Sequence, residues 1–298
     1  MGVVAATAAQ SIVDQRRGIL LMLLTTFLFV SLDALAKHLV QTYSIVQVVW
    51  ARYAFHAMLV VLVLRHRVPM HFRTQRLSLQ LIRSLLLLAT TAAFFAAVRH
   101  MQLVDATAIS LAGPLLVTAL SVPFLGEHVG VRRWIAVAIG FVGALVIVRP
   151  GTTMMNPAAI YPVMSMVAYA FYQISTRALS RFDPAMTTLL YTALAGGIVT
   201  TAAVPFFWIP PDLFDWGLMI LLGLLGGAGH LALIKALTYA SAVTVAPFSY
   251  SSLVWTTGLG FVVFAELPDL WTLAGAAIII GSGLYVLHRE RGEAIRSV

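Results

Sequence analysis

The chain has 298 residues, of which 60% are hydrophobic and 10% charged, and its mean hydropathy is +0.94. Soluble domains carry about 25% charged residues, so this chain has too few charges to cover a water-soluble protein of its size. The same hydrophobicity excludes a disordered chain. The chain has no cysteine, which excludes disulfides and thiolate metal sites. The composition therefore predicts a protein whose surface lies mostly in lipid.

Ten apolar segments are each long enough to cross a bilayer, which needs about 20 residues per helix. Nothing between them resembles a soluble domain. The sequence therefore predicts an all-α integral membrane protein with ten transmembrane helices. In chain order they lie at about 18–40, 44–64, 77–98, 103–125, 131–149, 157–177, 185–207, 215–237, 242–264 and 270–287.

The basic residues predict the direction of these spans, because cytoplasmic loops of membrane proteins are rich in Lys and Arg. With the N-terminus in the cytoplasm, only Arg99 and Arg149 fall in outer loops. The inner segments then hold thirteen arginines, namely Arg16, Arg17, Arg65, Arg67, Arg73, Arg76, Arg132, Arg133, Arg177, Arg181, Arg289, Arg291 and Arg296. This distribution predicts a bacterial-type inner membrane protein with both termini cytoplasmic. It also explains the net charge of +8 without a nucleic-acid partner.

A weak internal repeat is visible when the chain is shifted by 139 residues. The segment 89–110 then falls on 228–249, with coinciding small residues, and Glu127 falls on Glu266. The repeat predicts two halves, 1–150 and 151–298, of five helices each. Because five is odd, the second half must enter the membrane inverted, an arrangement typical of secondary transporters. The alternative is an old duplication in a membrane protein of another function.

Several motifs resemble one family. They are Phe29-Val30-Ser31 ahead of Lys37, Ala51-Arg52-Tyr53, Phe124-Leu125-Gly126-Glu127, Arg133-Trp134 with Gly140 and Gly143, Arg149-Pro150-Gly151, and Phe264-Ala265-Glu266 with Trp271, Gly275 and Gly281. Together, over about residues 17 to 290, they resemble the EamA branch of the drug/metabolite transporter superfamily.

The resemblance implies ten helices in two inverted repeats around a central cavity, with small metabolites moved across the inner membrane by alternating access. Within the family, the aromatic content is most similar to the YddG-type aromatic amino-acid exporters. The same family includes uptake carriers, among them carriers of S-adenosylmethionine. Phe29-Val30 replaces the Trp-Gly of the family pattern, so we expect the local packing of the first helix to differ from that pattern.

Three charged residues lie within the first two spans, and two of them, Asp33 and Arg52, lie at similar depth. Asp33 and Lys37 share one stripe of the first helix, and Arg52 enters the second span from the other end. Charges within spans usually face protein or water. We expect Asp33 to pair with Lys37 or Arg52, and the cluster to bind a zwitterionic ligand or to carry a proton. The alternative is a structural ion pair between the two helices.

Aromatic and polar side chains on several spans are the other candidate ligand contacts, since aromatic residues with polar tips suit an amphipathic or aromatic ligand. Trp208 and Trp216, near helix ends, fit interfacial anchors better. The candidate cavity residues are Trp50, Phe94, Tyr169, Tyr172, Gln173, Tyr250 and Trp255.

Two prolines and two histidines complete the set of candidates. Pro114 and Pro247 remove helical hydrogen bonds and predict kinks, which could serve as gates or simply accommodate packing. His56 and His230 are interpreted as isolated histidines within spans, for which a satisfied core histidine is a better explanation than a proton site.

These observations favour a secondary transporter that exports amino acids, aromatic or other neutral ones, as a monomer or homodimer. The alternatives are an uptake carrier for another metabolite such as S-adenosylmethionine, a multi-span enzyme acting on lipid-linked substrates, and a passive channel. The sequence contains no nucleotide-binding, zinc-protease or serine-hydrolase motif, so we expect no catalytic residue, metal or cofactor.

Overall fold

The computed structural model describes residues 2–126, 129–152 and 155–296, so Glu127, which the repeat pairs with Glu266, lies outside the described residues. The α-helices are α1 (Gly2–Thr42), α2 (Ile45–Leu64), α3 (Val68–His71), α4 (Leu77–His100), α5 (Leu103–Ser110), α6 (Gly113–Leu125), α7 (Val131–Val148), α8 (Ile160–Leu179), α9 (Ala185–Ala203), α10 (Leu213–Tyr239), α11 (Ala242–Val245), α12 (Ser251–Phe264) and α13 (Leu270–Arg296). Short 3-10 helices occupy Arg65–Arg67, Pro157–Ala159, Val204–Phe207 and Ala246–Tyr250. No strand occurs in the described ranges.

Among the described residues, eight helical segments are long and apolar enough to cross a membrane. They correspond to the predicted spans one to five, seven, eight and ten. The predicted span at 157–177 forms a continuous helix, α8, with several polar residues along it. The predicted span at 242–264 is divided among α11, a 3-10 helix and α12. The prediction of a multi-span, all-helical membrane protein is confirmed, and the count of ten transmembrane helices stays a prediction.

Two spans are interrupted near the two prolines named above. Helix α5 ends at Ser110, and Pro114 lies in the first turn of α6, where the missing N–H costs no helical hydrogen bond. In the second half, Pro247 lies at the start of the 3-10 helix Ala246–Tyr250. The shift of 139 residues carries Ser110 onto Ser249, inside that 3-10 helix. Interrupted helices at corresponding positions of two repeats are typical of transporter binding regions.

The helices pack in corresponding pairs, so that exchanging the two halves turns one contact into another. Helix α1 packs on α10 in the second half, and α8, its counterpart, packs on α4 in the first. Likewise α2 packs on α10 while α9 packs on α4, and α1 packs on α12 while α8 packs on α6. The pairs α2–α9, α5–α12 and α7–α13 each join a helix to its own counterpart. This is the contact pattern expected of two copies related by a two-fold axis.

The core is formed by both halves. One cluster of buried apolar side chains combines residues of α1, α2 and α4 with Met219 and Leu222 of α10. A second cluster combines Ile109 and Leu115 of the interrupted span with Ala276 and Ile279 of α13. The interface between the halves is therefore itself part of the hydrophobic core.

Candidate functional site

Six helices pack on one another in a closed series of contacts around the middle of the bundle, which we call the central ring. Helix α1 packs on α4, α4 on α8, α8 on α5 and α6, α5 on α12, and α12 again on α1. Across this ring, α8 packs closely on neither α1 nor α12 among the residues that the structure describes. The helices of this ring carry half-buried polar and aromatic side chains, among them Asp33 of α1, Tyr169 of α8 and Trp255 of α12. The ring is the region where a solute site could form.

Asp33 does not form either predicted ion pair. It is half-buried, and among the described residues it has no hydrogen bond and no cation within 4.0 Å, although the charge of Arg52 acts on it. Lys37 instead pairs with Glu266, with its Nζ 2.5 and 2.7 Å from the two carboxylate oxygens. The expected Asp33–Lys37 pair is therefore wrong, because an acid distant in sequence reaches Lys37 first. Within the described part of the chain, Asp33 is therefore a carboxyl without a hydrogen-bond or ion-pair partner on a helix of the ring.

The Lys37–Glu266 contact joins the two halves at one end of the bundle, which we call the Lys37 end. Lys37 Nζ also donates to the carbonyl oxygen of Met101 at 3.0 Å, and the backbone N–H of Leu103 donates to Glu266 at 3.2 Å. The Lys37 ammonium lies 5.0 Å from the Phe264 ring centroid. These contacts therefore join α1 to the α4–α5 connection, to the start of α5 and to the end of α12.

A second set of contacts reinforces the Lys37 end. Arg149 forms an ion pair with Asp269 at 2.8 Å, and the Thr272 hydroxyl donates to Asp105 at 2.7 Å. Burial would raise the pKa of Asp269, but the hydrogen bonds from Thr272 and the charge of Arg149 outweigh it and lower that pKa. Asp269 therefore stays ionised and keeps its partners at neutral pH.

The opposite end, which we call the Asp183 end, is also closed by contacts between the halves. Asp183 accepts hydrogen bonds from the Thr74 hydroxyl, from the Gln75 backbone N–H at 3.2 Å and from Gln80 Nε2 at 2.9 Å. Burial would raise the pKa of Asp183, but these three donors together lower it. Tyr191 adds a hydrogen bond from its hydroxyl to the Phe72 carbonyl at 2.8 Å.

Two arginines are buried in the bundle with neutral partners. Arg52, 9% exposed, donates to the Thr91 hydroxyl and lies 5.4 Å from the Tyr53 ring centroid, while its Nε has no partner within the described residues. Arg83, 4% exposed, donates to neutral oxygens from each of its three nitrogen atoms. Its donors reach Thr176 and Thr192 at 2.6 Å each, the Thr188 carbonyl at 3.2 Å and the Tyr172 hydroxyl at 2.8 Å. Arg83 therefore ties α4 to both α8 and α9.

The candidate aromatic residues separate into several environments. Tyr169 stacks on Tyr172 at 5.7 Å beside Gly113 at the interruption of the fourth span, and Gln173 is half-buried on the same helix. Trp255 donates from Nε1 to the Thr26 hydroxyl at 3.2 Å, which binds α12 to α1 within the ring. Three of the predicted cavity residues therefore remain partly exposed on helices of the ring, namely Tyr169, Gln173 and Trp255.

The other three predicted aromatic residues have packing partners. Tyr250 is buried against Gly283 of α13, where an added Cβ would lie 1.7 Å from the tyrosine hydroxyl. Phe94 packs on the first core cluster. Trp50 donates to Thr201 at 3.1 Å and its ring lies 5.6 and 6.3 Å from the rings of Trp208 and Trp216. Trp50 thus belongs to the aromatic cluster that includes the two predicted interfacial tryptophans.

His56 and His230 were expected to be isolated, and that prediction is wrong. Their rings stack at 5.4 Å with an angle of 6° between the planes, and Phe29 meets His230 edge-on at 5.0 Å. Both Nε2 atoms are buried without a hydrogen-bond partner in the part of the chain that the structure describes. Gly223 and Gly227 of α10 leave the space that brings α2 this close.

Sequence reasoning assigned no role to Arg83, Glu266 or Asp183. Arg83 carried a usable signal, since a charge within a predicted span is costly unless it is paired. Glu266 carried a weaker one, because the repeat aligned it with another glutamate. Nothing local pointed to Asp183, whose three donors are more than 100 residues away along the chain.

Comparison with known proteins places this geometry in context. The chain is 27% identical over 259 residues to an S-adenosylmethionine uptake transporter of Rickettsia bellii, covering 87% of this chain and 89% of that protein. It is 26% identical over 281 residues to the pseudopaline exporter CntI of Pseudomonas aeruginosa, covering 93% and 98%. It is 31% identical over 193 residues to a riboflavin transporter of Vibrio cholerae, covering 63% and 64%.

A crystal structure with 17% sequence identity superposes with a TM-score of 0.65, covering 89% of this chain and 94% of the other, which establishes likeness of fold alone. The sequence pattern of the EamA-like transporter family matches residues 16–149 and again residues 156–287. The two matches repeat one unit and together span most of the described helices. The chain is therefore a small-molecule membrane transporter that belongs to the EamA-like transporter family.

Proposed function

We propose that the protein is a secondary transporter with ten transmembrane helices, formed by two inverted halves, 1–150 and 151–298, that alternate access to the central ring. The helix contacts support inversion, since exchanging the halves maps each major helix pair onto another pair or onto itself. The contacts of the connections support it too. Ser44 and Gln47 bond to Phe207 and Ile209, as Gln75 bonds to residues 182–183 at the other end.

Alternating access requires that the two ends open in turn. The Lys37–Glu266 contact and the Asp183 hydrogen bonds each join one half to the other, so each is a contact that must break when its end opens. Pro114 and Pro247 mark the interruptions about which the half-helices would move. The basic-residue count assigns the Lys37 end to the outside of the inner membrane and both termini to the cytoplasm.

The proposed solute carries an α-amino group beside an aromatic or heteroaromatic group. Asp33 is the observation that carries this proposal, because it is a half-buried carboxyl at the ring without an ion pair among the described residues. An ammonium group of a solute would supply the missing cation. Tyr169 and Trp255 offer ring faces, and Gln173 offers an amide, for the rest of the molecule. Aromatic amino acids moved outward, as in exporters of the YddG type, fit this chemistry.

A second candidate is uptake of S-adenosylmethionine. The similarity to the Rickettsia uptake transporter over 87% of the chain favours it. This solute also combines an α-amino acid with a heteroaromatic ring, so the same residues would serve it. The two candidates differ in ring system and in direction, and both can be measured.

Counterflow in proteoliposomes tests the substrate. Vesicles loaded with an unlabelled solute are diluted into the labelled one, using phenylalanine, tryptophan, S-adenosylmethionine and riboflavin in separate arms. We expect accumulation of a solute with an α-amino group and no accumulation of riboflavin, which lacks one. Counterflow for none of these solutes would refute the proposed substrate class.

The Asp33→Asn variant tests the residue. It should weaken half-saturation by about tenfold, since a hydrogen bond to a charged group contributes about 1.5 kcal/mol. Asp14→Asn, which changes a partly exposed acid paired at 3.5 Å with Arg17, is the matched control. Equal counterflow by wild type and Asp33→Asn would exclude Asp33 from the solute site. Direction is then read from efflux and uptake in whole cells.

A further inference from the structure

A cavity of about 660 Å³ opens where α2 ends and the connection to α4 begins. Its wall is formed by apolar side chains and its rim by basic ones. The residues that matter here are Leu62, Leu64, Met186, Arg65, Arg67 and His71. It lies at the Asp183 end, away from the central ring, and no transport step described above uses it.

The rim of the cavity carries positive charge that the described residues do not neutralise. The side chains of Arg65 and Arg67 are exposed, and neither has a hydrogen-bond or ion-pair partner among the described residues. His71 lies 3.3 Å from the Thr187 hydroxyl through Nδ1. The connection 65–76 contains no acid, and the acid of the facing connection, Asp183, is held by its own three donors. The rim therefore attracts an anion.

The backbone at the rim is held in an unusual conformation. Arg65 has a φ of 48° and a ψ of −122°, although residues with a Cβ rarely adopt positive φ. Its N–H still donates to the Val61 carbonyl, so the strained residue is fixed to the end of α2. Strained positions of this kind persist where the surroundings hold them, often at ligand sites.

The wall indicates what kind of anion fits. Leu62 and neighbouring Val63 are exposed and continue the lipid-facing surface of α2 into the cavity. A small inorganic anion would leave this apolar wall against water, whereas an acyl chain would cover it. Basic pockets between transmembrane helices on the cytoplasmic side suit anionic headgroups.

We infer that this cavity is a binding site for an anionic phospholipid, with the phosphate at Arg65 and Arg67 and the upper acyl chain against Leu62, Leu64 and Met186. The lipid would come from the leaflet at the Asp183 end, which the basic-residue count assigns to the cytoplasm. This inference does not depend on which solute the protein transports.

Thermal unfolding of the purified full chain in neutral detergent tests the inference. The protein is titrated with dioctanoyl phosphatidylglycerol, with dioctanoyl phosphatidylcholine and, separately, with inorganic phosphate. We expect a saturable rise in Tm with phosphatidylglycerol alone. In the Arg65→Gln plus Arg67→Gln variant, half-saturation should move to about 25-fold higher lipid, about fivefold for each lost arginine.

The matched control is Arg73→Gln plus Arg76→Gln, which removes the same charge from the same connection outside the cavity. It should keep the wild-type half-saturation. Arg65→Lys plus Arg67→Lys keeps both charges and should retain a rise in Tm, which separates lost binding from a folding defect. The inference is overturned by an equal rise with inorganic phosphate, by equal weakening in the control, or by no rise for the wild type.

Discussion

Removing the acid of the Lys37–Glu266 contact should open the Lys37 end. In Glu266→Gln, the Lys37 ammonium loses the charged carboxylate whose oxygens lie at 2.5 and 2.7 Å. It keeps neutral partners, namely the amide oxygen of the new side chain, the Met101 carbonyl at 3.0 Å and the Phe264 ring. Breaking a buried ion pair by removing one partner costs about 3–5 kcal/mol. The Glu266 side chain is 21% exposed, so we expect about 2 kcal/mol. That corresponds to about a 25-fold shift toward the open arrangement.

The absence of cysteine allows a direct assay. Thr256 is fully buried below the contact and 3.5 Å from the Thr107 hydroxyl, so a single Thr256→Cys substitution reports opening of this end. A membrane-impermeant maleimide added to intact cells should label the cysteine up to about 25-fold faster in the Glu266→Gln background. Arg99→Gln, which removes an exposed charge nearby, should leave the labelling rate unchanged.

The double variant Lys37→Met plus Glu266→Met separates opening from damage. Replacing both members of a buried pair with apolar residues is often neutral for stability, so its Tm should recover while its labelling stays fast. If Glu266→Gln lowered Tm but labelled at the wild-type rate, the contact would be a structural pair. The reasoning that assigns it to one end of an alternating cycle would then fail.

Three further predictions test the packing. Asp183→Asn should lower the free energy of unfolding by about 2 kcal/mol at neutral pH. Because the pKa of Asp183 is lowered in the folded protein, the wild type should lose this advantage as the pH falls through that pKa. Acid unfolding curves of the variant should show no such loss. Tyr172→Phe removes an acceptor from the buried Arg83 and should cost about 1.5 kcal/mol in chemical unfolding, whereas an unchanged midpoint would mean that water replaces the hydroxyl. Gly275→Ala places a Cβ 2.5 Å from a carbonyl oxygen of the facing helix and should cost about 1–3 kcal/mol in thermal unfolding; Gly281→Ala, with open space around it, should be neutral or stabilising.

Much of the architecture was predictable from hydropathy, because a span must be apolar for about 20 residues wherever it lies in the bundle. The helix interruptions were also predictable, since Pro114 and Pro247 affect the backbone locally. The partner of Lys37 was not predictable. Asp33 is four residues away on the same helix face, yet Glu266 reaches the ammonium from a connection 229 residues away along the chain.

For a similar reason, the sequence did not separate the aromatic residues that have packing partners from those that remain partly exposed. Spacing places Tyr169, Tyr172 and Tyr250 on helix faces, but it does not say what each face meets. Tyr172 is committed to Arg83 and Tyr250 to the gap at Gly283. These commitments depend on which helices are neighbours, and that information lies in the exchange of partners between the two halves.

The two core clusters have a consequence for biogenesis. Met219 and Leu222 complete one cluster, and Ile109 and Leu115 help to form the other. When only the first five helices have been synthesised, the helices of the second half on which they pack are not yet present. The first five helices should therefore be only loosely associated in the bilayer until the second half is inserted. A fragment ending near residue 150 should accordingly be degraded when made alone, and coexpression of the missing fragment should rescue it.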